Sequence, residues 1–175
     1  MPLMQNKVRH RILYLILAVC LIIFDQITKK IVLARLVGNP FVLIEGVFEF
    51  RYLENRGAAF GILQNSIPFF IVIAVVILVI VIWCFLRLPA GKHYLPFNIA
   101  LLLLFSGAVG NMIDRIFRQY VVDFMYFRLI DFPIFNVADC YVTIGAALVI
   151  ISVIFVYKEG DLSMLLPGKG GKESG

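Results

Sequence analysis

The sequence predicts an α-helical membrane protein: four transmembrane helices with a small β-sheet cradle at the outer membrane surface. Three observations lead there. The chain is 62% hydrophobic and only 15% charged, against roughly 25% charged residues in soluble domains. Three uncharged runs, Ile67–Leu86, Leu95–Ile113 and Cys140–Tyr157, reach the roughly 17 to 25 residues that cross a bilayer. Between the first two predicted helices, Phe48-Glu-Phe-Arg-Tyr52 alternates aromatic and charged residues with period two, as a strand with one wet face does.

The first helix needs more argument. Its uncharged run, Ile12–Phe24, is short, but after Asp25-Gln-Ile-Thr-Lys-Lys30 it resumes as Ile31-Val-Leu-Ala34, so one helix from about Ile12 to about Leu36 carries charges near its outer end. Lys7, Arg9 and Arg11 before an apolar run also suit a removable signal peptide, yet no small-x-small cleavage site follows at Phe24-Asp-Gln, and a retained helix is expected. The predicted spans are therefore about 12–36, 67–87, 95–114 and 137–157. They form a single integral domain over 1–158, with outer loops at about 37–66 and 115–136. Residues 159–175, rich in Gly and Lys, are expected to be a flexible cytoplasmic tail.

In the first outer loop Asn39-Pro and Glu45-Gly mark turns before the alternating segment. Tyr120-Val-Val-Asp-Phe-Met-Tyr-Phe127 is similarly enriched in β-branched and aromatic residues, which places Asp123 on a strand or loop rather than a helix. Four spans put both termini on one side. That side holds eight Lys and Arg with only Glu159, Asp161 and Glu173, whereas the other holds eight basic and eight acidic residues. Both termini are thus expected to be cytoplasmic. The net charge of +5 then belongs to the inner face, where it suits anionic lipid rather than nucleic acid. Cys20, Cys84 and Cys140 lie in or at the ends of spans without CxxC spacing, which supports neither disulfides nor a zinc site. No metal or other cofactor is expected.

All the polar chemistry falls on the outer side. Asp25 and Lys29 are spaced i,i+4 with the acid first, a pairing that reads mainly as a rim salt bridge. Gly107, Asn111, Asp114 and Arg115 form one stripe on the third helix, a polar seam in which Gly107 and Gly110 allow close approach. Arg115 and Arg118 supply Asp114 with partners. Asn136, Asp139, Cys140 and Thr143 form the matching stripe on the fourth helix, with Asn136 as its cap. Asn55-Arg-Gly-Ala-Ala-Phe-Gly61 joins a loop amide to small residues, Gly57 and Gly61 permitting close backbone approach.

Asp123 and Asp139 stand apart because neither has a basic residue three or four positions away. Glu45 also passes that filter, but it sits in a turn and is explained by solvent; Asp131, three residues after Arg128, reads as loop surface. If the short loop brings Asp123 and Asp139 together, mutual repulsion makes the pair share one proton. One carboxylate can then activate water while the other donates to a carbonyl oxygen or leaving amine. His10 and His93 belong to the opposite side of the membrane, about 30 Å away, which removes a Cys-His dyad. The alternative class is a small proton-coupled transporter using the outer-side acids; nothing polar continues its path inward.

The motifs Asp25-Gln-Ile-Thr-Lys29, Asn55 to Gly61, Gly107-Ala-Val-Gly-Asn-Met-Ile-Asp-Arg115, Val121-Val-Asp-Phe124 and Phe135-Asn-Val-Ala-Asp139 occur in an order and placement that resembles bacterial lipoprotein signal peptidase, or signal peptidase II. The resemblance covers about residues 10 to 157. It implies an aspartic endopeptidase of the bacterial cytoplasmic membrane that removes the signal peptide from diacylglyceryl-modified prolipoproteins, cutting just before the lipid-modified cysteine on the outer side. It assigns the catalytic dyad to Asp123 and Asp139. To Asp25, Lys29, Asn55, Gly57, Asn111, Asp114, Arg115, Asn136 and Ala138 it gives roles in shaping the site or contacting the substrate or the inhibitor globomycin. It also implies a lipid-anchored substrate that the enzyme must meet at the bilayer; a monomer in contact with membrane lipid is expected.

Overall fold

A computed structural model describes residues 2–57, 66–158 and 160–165. Four long helices carry the chain: α1 (Pro2–Arg35), α2 (Ile67–Arg87), α3 (Leu95–Arg118) and α4 (Val137–Ile151). α4 continues as a π-helical turn over Ser152–Val156. All four are long and apolar enough to cross a membrane. Pro68 and Pro96 lie in the first turns of α2 and α3, where a missing N–H costs nothing. α1 starts well before the apolar run because Lys7, Arg9 and Arg11 continue the helix beyond it.

Helix α3 is the centre of the bundle. Its span is 44% buried inside the protein, against 22% for α1 and 11% for α2 and α4, and it packs on each of the other three. The large side chains left exposed on α1, α2 and α4, such as Leu15, Val72 and Ile154, are the surface that lipid covers. At one end Val81, Leu88, Phe97, Leu101 and Tyr157 form an apolar cluster, joined by Leu162, Met164 and Leu165 from the segment after α4.

At the other end lies a three-stranded antiparallel sheet in the order β1 (Phe41–Ile44), β2 (Phe48–Asn55), β3 (Val121–Phe127). The alternating segment and the aromatic segment are β2 and β3. β1 is an addition: its Phe-Val-Leu-Ile has no alternation and is exposed throughout, so periodicity does not reveal it. The Glu45-Gly46 turn joins β1 to β2, with Gly46 at φ 72° and the Val47 N–H donated to the Ile44 carbonyl at 3.0 Å. Val32 of α1 packs beneath Val122 and Phe124 of β3, which seats the sheet on this end of the helices. Gln119, in the left-handed region at φ 63°, turns the chain from α3 straight into β3.

Candidate active site

Asp123 lies mid-strand in β3 and is buried. The β2–β3 register sets Asn55 opposite Val121, and Asn55 Nδ2 donates to Asp123 Oδ2 at 2.8 Å. The amide is oriented by its own loop, since Asn55 Oδ1 accepts the Gly57 N–H at 3.0 Å. The second carboxylate oxygen, Asp123 Oδ1, accepts Asn136 Nδ2 at 2.6 Å.

Asp139 is placed by the start of α4. Asn136 Oδ1 accepts the Asp139 N–H at 3.0 Å, and Asp139 Oδ2 accepts the Asn136 N–H at 3.1 Å, the reciprocal pair of a capping box. Asp139 Oδ1 accepts Asn111 Nδ2 at 2.7 Å, while Asn111 Oδ1 accepts Asn136 Nδ2 at 3.2 Å. Asn136 therefore binds Asp123 through its side chain and Asp139 through both side chain and backbone. It is the bridge between the two acids.

Beneath this pair is a second polar layer. Asp25, Lys29 and Asp114 are fully buried. Lys29 Nζ uses all three of its protons, on Asp25 Oδ2 at 3.0 Å, Asp114 Oδ2 at 3.0 Å and Asn111 Oδ1 at 2.9 Å. This differs from the rim salt bridge read from the sequence: with two acids and an amide inside the bundle, the ammonium is satisfied without reaching for water. Asp25 Oδ1 also accepts the Ala138 N–H at 3.0 Å, tying α1 to the first turn of α4. Asp114 pairs with Arg118 and accepts the Val122 N–H at 3.1 Å, so α3 grips β3 one residue from Asp123. Close approach of the helices depends on two glycines. A Cβ at Gly107 would meet the Ala138 carbonyl oxygen at 2.5 Å, and one at Gly110 would meet Asp25 Oδ2 at 2.7 Å.

Arg115 takes a different direction from Asp114, as neighbours on a helix do. Its guanidinium lies 5.0 Å from the centre of the Phe70 ring, and its Nε is buried with no hydrogen-bond partner among the described residues. Asp123, Asp139, Asn55, Gly57, Asn111 and Arg115 all line one cavity of about 550 Å³. The apolar part of its lining comes from Phe132 to Phe135 and from Val142 and Ile144 of α4. Burial, and next the charge of Asp139, push the Asp123 carboxyl from its ordinary 3.8 up to about 7. Its bonds from Asn55 and Asn136 and the charge of Lys29 oppose that rise.

The residues singled out from the sequence thus meet in two connected layers, Asp123 and Asp139 facing the cavity and Asp25, Lys29 and Asp114 below, with Asn111 joining them. Ala58 to Gly61 of the loop motif lie outside the described residues. Glu45 and Asp131 are exposed. Two contributors carry no sequence signal of their own. Gln26 Nε2 lies within hydrogen-bond distance of Asp25, Asp114 and the Gly110 carbonyl, and Phe132 to Ile134 wall the cavity. His10 and His93 sit at the far end of the bundle, His93 beside Asp161.

The sequence and the fold have known counterparts. Residues 17–155 match the family model described as Signal peptidase (SPase) II. The chain is 41% identical over 154 residues to the lipoprotein signal peptidase of Fusobacterium nucleatum subsp. nucleatum, covering 87% of this chain and 93% of that one. It is 45% identical over 150 residues to that of Clostridium tetani, covering 83% and 92%. A solved bacterial membrane enzyme, determined by the in meso method at 2.3 Å resolution, superposes with a TM-score of 0.73 at 38% identity, covering 81% of this chain and 87% of that one. The chain belongs to the signal peptidase II family.

Proposed function

We propose that this peptidase is an aspartic endopeptidase that removes the signal peptide from diacylglyceryl-modified prolipoproteins, cutting on the N-terminal side of the lipid-modified cysteine. The observation that carries the reading is the bridging of Asp123 and Asp139 by Asn136 at the wall of a shared cavity. Relatives at 41% and 45% identity bear the name lipoprotein signal peptidase, and the substrate class follows from theirs.

In the reaction, Asp123 and Asp139 hold one proton between them and a water molecule against the scissile carbonyl. The ionised carboxylate takes a proton from the water as its oxygen attacks, and the protonated one gives its proton to the carbonyl oxygen. The tetrahedral intermediate collapses as the carboxyl that took the water's proton gives it to the leaving amine, the C–N bond breaks, and the other carboxylate takes back a hydroxyl proton, which restores the single shared proton. Asp123, held up to about 7, suits the acid at neutral pH. Asn55, Asn111 and Asn136 fix the two carboxylates so that little reorganisation is needed. Arg115, with Nε unengaged among the described residues, meets the substrate, and Gly57 leaves room for its backbone. The apolar lining of the cavity receives the lipid-bearing residue, which remains in the bilayer because each buried methylene holds it there by about 0.8 kcal/mol.

Both termini are cytoplasmic and the acids face the outer side of the bacterial cytoplasmic membrane, as the scarcity of acids among the basic residues on the termini's side favours. The chain acts as a monomer, every site residue coming from one copy, and globomycin occupies the same cavity. The transporter alternative loses its pathway: Asp25 and Asp114 are tied to Lys29 and Arg118 rather than free to relay protons. Purified chain should cut a diacylglyceryl-modified prolipoprotein, leave the unmodified precursor intact, and be blocked by globomycin. Equal cutting of the unmodified precursor would overturn the substrate assignment.

A further inference from the structure

At the end of the bundle opposite the acids, the outer surface of α1, α2 and α3 encloses an apolar groove of about 270 Å³, lined by Tyr14, Leu15, Ala18, Ile82, Phe85 and Leu102 among others. Leu15 and Ile82 on its edges are exposed, so it opens sideways into the region that lipid tails occupy. Arg11 lines its end toward the N-terminus of α1. Through Arg11 and Phe85 the groove continues into a smaller polar hollow of about 80 Å³, bordered by Lys7, His10 and Arg87.

Arg11, Arg87 and His10 are held in place. Arg11 Nη2 donates to the Leu86 carbonyl at 3.2 Å, and Arg87 stacks on Trp83 with its guanidinium 5.5 Å from the ring centre. His10 lies 4.4 Å from Tyr14 and 6.1 Å from Phe85 between ring centres, making an aromatic shoulder between hollow and groove. Among the described residues none of Lys7, Arg11 and Arg87 pairs with a carboxylate. Three cations without acids border the hollow that adjoins a slot shaped for hydrocarbon, with Arg11 lining both.

We infer that this groove is a binding site for one anionic phospholipid of the cytoplasmic leaflet, its phosphate held by Lys7, Arg11 and Arg87 and one acyl chain laid between Tyr14, Ile82 and Phe85. The charge chooses the headgroup class and the groove demands a chain. The proposal is independent of the peptidase mechanism, since the site lies at the other end of the helices.

The test is native mass spectrometry of the delipidated full chain with phosphatidylglycerol or phosphatidylcholine of the same acyl composition. One phosphatidylglycerol should be retained at least tenfold more tightly. Because a basic residue near the surface is worth about fivefold toward an anionic lipid, Arg11→Gln with Arg87→Gln should erase most of that preference, while Arg11→Lys with Arg87→Lys keeps it. Ile82→Trp, at an exposed edge of the groove, should weaken both lipids. Soluble glycerol phosphate should not compete. Equal retention of the two lipids, a preference that survives the glutamine pair, retention of both lipids undiminished by Ile82→Trp, or full competition by glycerol phosphate would each overturn the proposal. Thermal unfolding of every variant separates loss of the site from loss of the fold.

Discussion

Replacing Lys29 by Met keeps the length of the side chain and removes only its ammonium. In the folded chain that ammonium makes contacts of 3.0, 3.0 and 2.9 Å with Asp25, Asp114 and Asn111, and Lys29, Asp25 and Asp114 have no exposed side-chain surface. Asp114 retains Arg118 and the Val122 N–H. Asp25 retains only neutral donors, Gln26 and the Ala138 N–H, so one buried carboxylate is left without a counter-charge. Removing one partner of a buried pair costs about 3–5 kcal/mol, whereas an exposed rim pair is worth about 0–1 kcal/mol. At about 2–4 °C per kcal/mol for a chain of this size, Lys29→Met should melt roughly 6–20 °C lower, followed by circular dichroism in neutral detergent. Adding Asp25→Asn to Lys29→Met should recover a large part of the loss, because the stranded charge is gone. A fall of about 2 °C or less, or a double variant whose loss is the sum of the singles, would refute the buried-network account.

Other predictions follow from the same geometry. Between pH 3.8 and about 7 the folded chain holds a proton on Asp123 that the unfolded chain has lost, so the stability this group contributes is present at low pH and lost as pH rises through about 7. The thermal stability of Asp123→Asn relative to the parent should therefore grow from pH 4 to pH 8, and a margin that does not change with pH would contradict it. In Asp139→Asn the Asp123 carboxyl should titrate at lower pH, read from its infrared C=O band, because the Asp139 charge that helps raise it is absent. Gly110→Ala should lower both stability and turnover, its Cβ landing 2.7 Å from Asp25 Oδ2, while Gly91→Ala, which meets nothing within 4 Å, should be silent in both. Asn136→Ala removes the α4 cap, worth about 1 kcal/mol, and the Nδ2 bond to Asp123, while the backbone N–H to Asp139 stays; the expected drop in kcat exceeds tenfold while unfolding shifts only modestly. Loss confined to stability would make Asn136 a cap and nothing more.

The sequence was most legible where a physical period or a length requirement acts alone. The spans declared themselves because hydrocarbon admits few charges, and β2 because Phe48 to Tyr52 alternates. β1 was silent: four consecutive apolar residues, Phe41 to Ile44, carry no period, and only pairing with β2 makes them a strand. Helix stripes correctly aligned Asn111 with Asp114 and Asn136 with Asp139, because spacing within one helix is fixed. Contacts between elements were not legible in the same way. Spacing indicated that Asp25 and Lys29 could pair, yet their burial depends on Asp114, Asn111 and the small residues of α3. Absence of a local cation drew attention to Asp123 and Asp139; that Asn136 touches both emerges only when β3 and α4 meet.

The most direct measurement is cleavage of a diacylglyceryl-modified prolipoprotein by the purified chain and by Asp123→Asn and Asp139→Asn, each first shown to melt as a folded protein. If these two acids perform the hydrolysis, each amide variant loses turnover by at least about a thousandfold, the scale on which removal of a catalytic group acts, while still binding the precursor. Near-normal turnover by either variant would contradict the account.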